Sequence, residues 1–480
     1  MYIGSVDDQA PKQMTGSSFV WAPEGLAYAY MNGDDKIVVG RYGEAEKTFT
    51  VSLPRRASDP PASDSSADAK AKRAKIGLKP TQLSKSGSWA VLTNRDGQWM
   101  LDTQSGATDV FVKYPSEETE APTVNVSFWT PDEKAVYYVV SSTVKWDRSL
   151  MRYEPALKRS AVVKHDEAER YAGFRLSKDG STLIYTMSNG YLPGDYYATD
   201  LAWSSPRRLT DANPWMRDRK WGTSALFEYL DANGKKLKGV VYYPVDYQPG
   251  KAYPTVFEVY ETMFADRFSD LVAYLNANGY VVAMPSVYLE MGWPVEAWEK
   301  GVTTAANKLI EMGVADSARL GVEGTSYGGY ATNLLVTQTH RFKAAVNISG
   351  KTDMISFYTD SPRLGVRNIF APEGQQDRLG GTFWQMPLRY LEHSAVYYAD
   401  RITTPLMLVT GWQDPNVPAR TTMEMYYALR RLGRDVVWVN YINSGHGTPH
   451  TSETDYRDYH TRILAWFDKY LKTAAASTDK

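Results

Sequence analysis

The pattern of apolar and polar positions changes character near residue 215. Before that point, short apolar runs follow polar turns. Ala22-Pro23-Glu24-Gly25 leads into Leu26-Ala27-Tyr28-Ala29-Tyr30, and Ser84-Lys85-Ser86-Gly87 into Trp89-Ala90-Val91-Leu92. Thr130-Pro131-Asp132-Glu133 leads into Ala135-Val136-Tyr137-Tyr138, and Ser177-Lys178-Asp179-Gly180 into Thr182-Leu183-Ile184-Tyr185. Counted from Ala22, Ser84, Thr130 and Ser177, the intervals are 62, 46 and 47 residues. A polar turn and an apolar strand recurring at roughly 40–50 residues is the pattern of propeller blades. The long first interval contains a segment at 55–75 rich in Ser, Asp, Pro and Ala, which predicts a disordered inter-strand loop.

After residue 215 the apolar runs alternate with helical periodicity. The hairpin signal Asp231-Ala232-Asn233-Gly234 joins apolar runs at 225–230 and 237–243. Strands are then expected at 255–260, 280–284, 319–322, 343–348, 406–410 and 436–441. Helical patterns lie between them, at 297–312 and 421–432 among others, and alternation of this kind predicts a mostly parallel sheet. A last amphipathic helix, 456–471, places Tyr459, Ile463, Trp466, Phe467 and Tyr470 near one face, for packing on the sheet.

At 480 residues the chain exceeds one ordinary domain. Its expected division is an all-β propeller-type domain at 1–215, an α/β domain at 216–472 and a flexible tail at 473–480. Hydrophobic residues make up 43% and charged residues 23%, enough apolar material for more than one core. A net charge of -1 gives no electrostatic case for nucleic acid or an anionic membrane as partner. No apolar run approaches a membrane span, and Met1-Tyr2-Ile3-Gly4-Ser5-Val6-Asp7-Asp8 has no signal-peptide character. The absence of cysteine excludes disulfides and leaves the compartment undetermined.

The candidate chemistry lies at the ends of three predicted strands. Gly324-Thr325-Ser326-Tyr327-Gly328 is a Gly-x-Ser-x-Gly run between a strand and a helical pattern, the context of a nucleophile elbow. Asp414 follows the strand at 406–410, and His446 sits in Ser444-Gly445-His446-Gly447 after the strand at 436–441. The order Ser, Asp, His, with gaps of 88 and 32 residues, is that of α/β-hydrolases and not that of chymotrypsin-like or subtilisin-like enzymes. A serine hydroxyl is a weak nucleophile until a base takes its proton, which His446 would do while Asp414 fixes the imidazole tautomer. Of the six histidines, His165, His340, His393 and His460 lie in less favourable settings, and His450 is the reserve candidate for the base. With no cysteine and no His-Glu-x-x-His pattern, neither a metal nor another cofactor is expected.

Gly-Thr-Ser-Tyr-Gly-Gly-Tyr, Asp414-Pro415-Asn416-Val417-Pro418 with its following helix, and Gly445-His446-Gly447 resemble the prolyl oligopeptidase family of serine peptidases, including its dipeptidyl-peptidase-like and acylaminoacyl-peptidase-like members. The resemblance covers roughly the last 260 residues. It implies hydrolysis of peptide bonds through an acyl-enzyme, with Ser326, Asp414 and His446 as the catalytic residues. It also implies an oxyanion hole made by a tyrosine at the end of an early strand, here Tyr260, and by the backbone N–H of Tyr327. Glu261-Thr262-Met263 after Tyr260 departs from the small residues usual there. By the same resemblance, residues 349–358 form part of the substrate pocket, with Phe357 and Tyr358 as aromatic candidates.

Family members usually carry seven or eight blades, and this chain has room for about four. The expectation is therefore an incomplete propeller, in a chain that begins partway through a longer polypeptide, with homodimerisation covering its open edges. Glu167 and Glu169 are the only blade glutamates near the position where dipeptidyl members capture a free N-terminus, and they read as a solvated turn. Dipeptidyl release is not expected. Three functions remain open at this stage: a peptidase acting on short peptides, a carboxylesterase using the same triad, and a catalytically silent propeller-based binding protein.

Overall fold

The computed structural model describes residues 2–3, 12–14, 16–23, 25–33, 35–51, 59–61, 63–66, 69, 72–73, 75–115, 121–167, 170–360 and 369–472. The chain divides into two compact units, Met1–Ser188 with Gly194–Ala212, and Asn189–Pro193 with Asn213–Lys480.

Among the described residues, the first unit holds four four-stranded antiparallel sheets, each a simple meander, lying within 17–50, 79–113, 123–166 and 170–208. The repeated turn has one structural form. The amides of Ala22, Ser84, Thr130 and Ser177 donate to the carbonyls of Ala27, Trp89, Ala135 and Thr182 at 2.8–2.9 Å, closing the turn before the second strand of each sheet. Those second strands, Ala27–Met31, Trp89–Asn94, Val136–Ser141 and Leu183–Asn189, supply the apolar residues that consecutive sheets share. Ala29 and Ile37 pack with Leu83, Ala90 and Leu101; Val91 and Met100 with Val136, Tyr138 and Tyr153; Tyr137 and Leu150 with Leu183. Face-to-face stacking of small meanders is the packing of propeller blades. The segment expected as a disordered loop at 55–75 falls partly outside the described residues. Its described part is held down: Asp59, with a side chain only 2% exposed, forms a two-pronged ion pair with Arg95, and Ala69 is buried. The expected tail, 473–480, lies outside the described residues.

The second unit is built on one eight-stranded sheet. Its strands are β1 (Thr223–Leu230), β2 (Lys236–Tyr243), β3 (Tyr253–Glu258), β4 (Val281–Pro285), β5 (Ala315–Thr325), β6 (Ala344–Ile348), β7 (Leu406–Gly411) and β8 (Val436–Tyr441), in the order β1-β2-β4-β3-β5-β6-β7-β8. The β1–β2 and β2–β4 pairings are antiparallel and all others parallel. The helices are α1 (Asp270–Ala277), α2 (Pro294–Glu311), α3 (Tyr327–Gln338), α4 (Met354–Thr359), α5 (Phe370–Gly374), α6 (Pro387–Glu392), α7 (Ala419–Arg431) and α8 (Glu453–Leu471). Every residue of β4, β6 and β7 is buried, as continuous apolar runs in a sheet covered on both faces require.

The β1–β2 hairpin turns where the Asp-Ala-Asn-Gly signal lies. Asp231 accepts from the amides of Asn233 and Lys235, and Gly234 takes a φ of 78°. β5 begins at Ala315, earlier than its apolar stretch indicates, because Ala315 already pairs with Tyr253 ahead of a register shift. β3 stops at Glu258 and leaves Tyr260 in the loop beyond it. α8 packs on β5 and β6, with Phe467 and Leu471 lying directly over Gly321. Among the described residues, no helix is long and apolar enough to cross a membrane.

Candidate active site

Three parallel strands deliver three polar side chains to the same edge of the sheet. β5 runs to Thr325, and the backbone turns at Ser326 with φ 60° and ψ −113°, a conformation that side-chain-bearing residues rarely adopt. The turn is held by Ser326 N–H donating to Ile348 O at 2.7 Å and by Ser326 O accepting from Tyr330 N–H at 3.0 Å. Its tightness explains two of the glycines. A Cβ on Gly324 would come within 2.4 Å of the Gly328 backbone, and one on Gly328 within 2.1 Å of Val259 O.

The loop after β7 turns over Asp414, whose Oδ1 accepts from the amides of Asn416 at 2.7 Å and Val417 at 2.9 Å. Oδ2 lies 2.7 Å from His446 Nδ1, and His446 Nε2 lies 2.7 Å from Ser326 Oγ. A carboxylate only accepts, so Nδ1 carries the proton and Nε2 is left to accept from the serine hydroxyl. The Asp414 side chain is 1% exposed and that of His446 24%, so the charge is sheltered while the base reaches solvent. The His446 loop is pinned by Gly447 N–H donating to Ser349 Oγ at 3.1 Å. His450 stands apart from this chain of hydrogen bonds, its ring 5.7 Å from that of Tyr456.

Tyr260 lies beside the elbow, its ring edge-on to that of Tyr327 at 6.1 Å and within 3.4 Å of where a Gly328 Cβ would stand. Its carbonyl accepts from Trp298 Nε1–H at 2.7 Å and its hydroxyl from Gln376 Nε2–H at 3.1 Å. Tyr327 opens α3, where a backbone N–H has no intrahelical acceptor. Phe357 and Tyr358 are both 4% exposed and belong to the core of this unit. Lys351 Nζ sits 4.4 Å over the Phe357 ring, and Tyr358 donates to Glu373 at 2.6 Å. Among the described residues, no group of three or more His, Asp or Glu side chains is placed to hold a metal ion.

Residues 300–474 match the model of the prolyl oligopeptidase family. This part of the chain is similar to the prolyl oligopeptidase family. An uncharacterised peptidase, YuxL, from Bacillus subtilis is 26% identical over 324 residues, covering 64% of this chain and 48% of that protein. The chain thus spans about half the length of that relative. Among solved structures, a puromycin-hydrolysing peptidase from Mycobacterium tuberculosis has a TM-score of 0.68 at 18% identity, covering 96% of this chain and 70% of its own. An acylaminoacyl peptidase from Pyrococcus horikoshii has a TM-score of 0.64 at 17% identity, covering 98% and 72%. These two likenesses show the fold, a propeller followed by an α/β-hydrolase.

Two features of this site escape sequence reading. The first is the contact of Gln376 with Tyr260, made from a loop more than a hundred residues away. The second is a pair of carboxyl groups beneath the elbow. Glu258 on β3 and Glu323 on β5 stand opposite each other in the strand register. Burial is the chief cause that makes both hard to ionise: Glu258 is pushed up to about 7, and Glu323, which also faces the charge of Glu258, stands well above the usual carboxylate range. Arg267 works against the rise at Glu258 and Asp270 adds to it.

A carboxyl that ionises less readily folded than unfolded costs no stability below its unfolded value of 4.5, and its cost grows until pH passes the folded value of about 7. Glu258→Gln is therefore expected to stabilise the protein by on the order of 3 kcal/mol at about pH 8 and to leave it unchanged at about pH 4. Thermal unfolding of the two proteins across this range checks it, and a difference independent of pH contradicts it.

Proposed function

We propose that the hydrolase unit is a serine peptidase that cleaves peptide bonds of short peptides through an acyl-enzyme on Ser326. The observation that carries this reading is the unbroken hydrogen-bond chain Asp414–His446–Ser326, at 2.7 Å per link, in a region similar to the prolyl oligopeptidase family. His446 Nε2 takes the Ser326 proton as Oγ attacks the scissile carbonyl, and the imidazolium so formed is stabilised by the buried Asp414. The negative charge developing on the carbonyl oxygen meets the Tyr260 hydroxyl and the Tyr327 N–H, two donors each worth about 3 kcal/mol in sites of this kind. His446 then protonates the departing amine, and water repeats the sequence on the ester formed at Ser326. Phe357 and Tyr358, 4% exposed, lie on the segment after β6 that this reading assigns to the substrate pocket.

Digestion of a mixed library of short peptides, read by mass spectrometry beside turnover of p-nitrophenyl acyl esters, decides between the open alternatives. Cleavage of peptides with kcat/KM at or above that for the esters is the expected outcome. Ester turnover without peptide cleavage makes the protein a carboxylesterase, and no turnover of either makes it a binding protein.

A further inference from the structure

We propose that Gln376 is a positioning residue that aims the Tyr260 hydroxyl, itself held by a network through Glu261, Arg378 and a buried Lys351–Asp377 ion pair. This rests on the reading of Tyr260 as an oxyanion donor. The argument is one of hydrogen-bond polarity. The Gln376 side-chain nitrogen lies 3.1 Å from Glu261 Oε1 and 3.1 Å from Tyr260 Oη. A carboxylate accepts only, so the nitrogen, and not the oxygen, of the amide must face Glu261. Both amide hydrogens are then committed, one to Glu261 and one to the phenol. A phenol oxygen that accepts from Gln376 has its own hydrogen left for another acceptor, and donation into that oxygen makes the O–H a better donor.

The surroundings hold the amide in this role. Glu261 Oε2 accepts from Arg378 at 3.1 Å, which fixes the carboxylate, and a second nitrogen of the same guanidinium lies 3.4 Å from the Tyr327 hydroxyl. Between the two loop residues, Asp377 is 0% exposed and paired with Lys351, 7% exposed, in the chain just beyond β6. Two backbone bonds, Asp377 N–H to Ala371 O at 2.9 Å and Leu379 N–H to Pro372 O at 2.8 Å, tie the same stretch to α5. Gln376 and Arg378 thus face the elbow from a segment whose middle residue is anchored in the core. Breaking a buried pair of this kind is strongly unfavourable, so the anchor gives the amide a fixed origin.

The test is a double-mutant cycle between Gln376 and Tyr260. Gln376→Met keeps the length of the side chain and removes both donors. It is expected to lower kcat about tenfold, with KM changed less than about twofold and fluorophosphonate labelling of Ser326 retained. In a Tyr260→Phe background the same replacement is expected to cost less than about twofold, because there is no hydroxyl left to aim. Equal losses in both backgrounds, or a loss confined to KM, overturn the proposal. Glu261→Gln, which keeps every heavy atom in place, is the second variant should Gln376→Met fold poorly. It is expected to lower kcat several-fold in the parent and not in the Tyr260→Phe background. Loss of all labelling on Ser326→Ala, measured in parallel, reports on the nucleophile independently, so failure of the Tyr260 reading and failure of the serine mechanism give different results.

Discussion

Ser326→Ala is expected to lower peptide hydrolysis by on the order of 10⁴–10⁶ and to abolish covalent labelling by a fluorophosphonate, with the thermal unfolding temperature almost unchanged. The hydroxyl is the only group removed. Ser326 reaches its backbone conformation through constraints that do not involve Oγ: the amide bond to Ile348 O, the bond from Tyr330 N–H, and the close approach of Gly324 to Gly328. Alanine meets the same penalty at φ 60° as serine, so the elbow keeps its shape. The variant loses the atom that His446 Nε2 deprotonates, and residual turnover reflects only binding and whatever the oxyanion donors supply to attack by water. Turnover within about tenfold of the parent, on purified protein free of other hydrolases, ends the acyl-enzyme reading. The labelling result then says whether another nucleophile is at work.

The candidate site is readable because Asp414 and His446 each follow a strand with a clear apolar run, while Ser326 is marked by its Gly-x-Ser-x-Gly run, the strand before it being longer than its apolar stretch. Val436–Tyr441 is delimited by its own residues, and Leu406–Gly411 differs from its apolar run by one. Glycine marks the turns as well, since the elbow needs residues without Cβ at 324 and 328. The blade turns are legible for the same reason: one local hydrogen bond, repeated four times, imposes one local pattern. What depends on distant partners is hidden. Gln376-Asp377-Arg378 is three polar residues in a loop, a pattern that reads as solvated surface, yet Asp377 is fully buried against Lys351. Glu261, a departure from the small residues expected after Tyr260, makes sense only once Gln376 and Arg378 are beside it. Phe357 and Tyr358 look like pocket aromatics from their position in the chain, while the packing of Tyr358 with Phe383, Trp384 and Tyr390 is set by residues that the local pattern does not connect to it.

Asp414→Asn should cost about 10⁴ in kcat while leaving KM within a few-fold, and the reason lies in which atoms of the side chain are already committed. Oδ1 accepts from the amides of Asn416 and Val417, so in the variant the amide oxygen must take that position and the NH₂ must face His446. An NH₂ group donates. His446 Nδ1 would then have to accept, its proton would move to Nε2, and the ring would present a donor to Ser326 where the reaction needs an acceptor. The geometry of the loop survives, because both backbone bonds survive, but the imidazole is held in the wrong tautomer and the imidazolium loses its counter-charge. Labelling of Ser326 by a fluorophosphonate is expected to slow by a similar factor, since it needs the same activated hydroxyl. Asp414→Ala separates the two contributions: with neither donor nor acceptor at this point the ring is free to choose its tautomer, so it should retain more activity than Asp414→Asn despite losing more contacts. Should the alanine variant prove the weaker of the two, with both folded, holding the tautomer is not the main task of Asp414, and charge stabilisation of the imidazolium carries the effect.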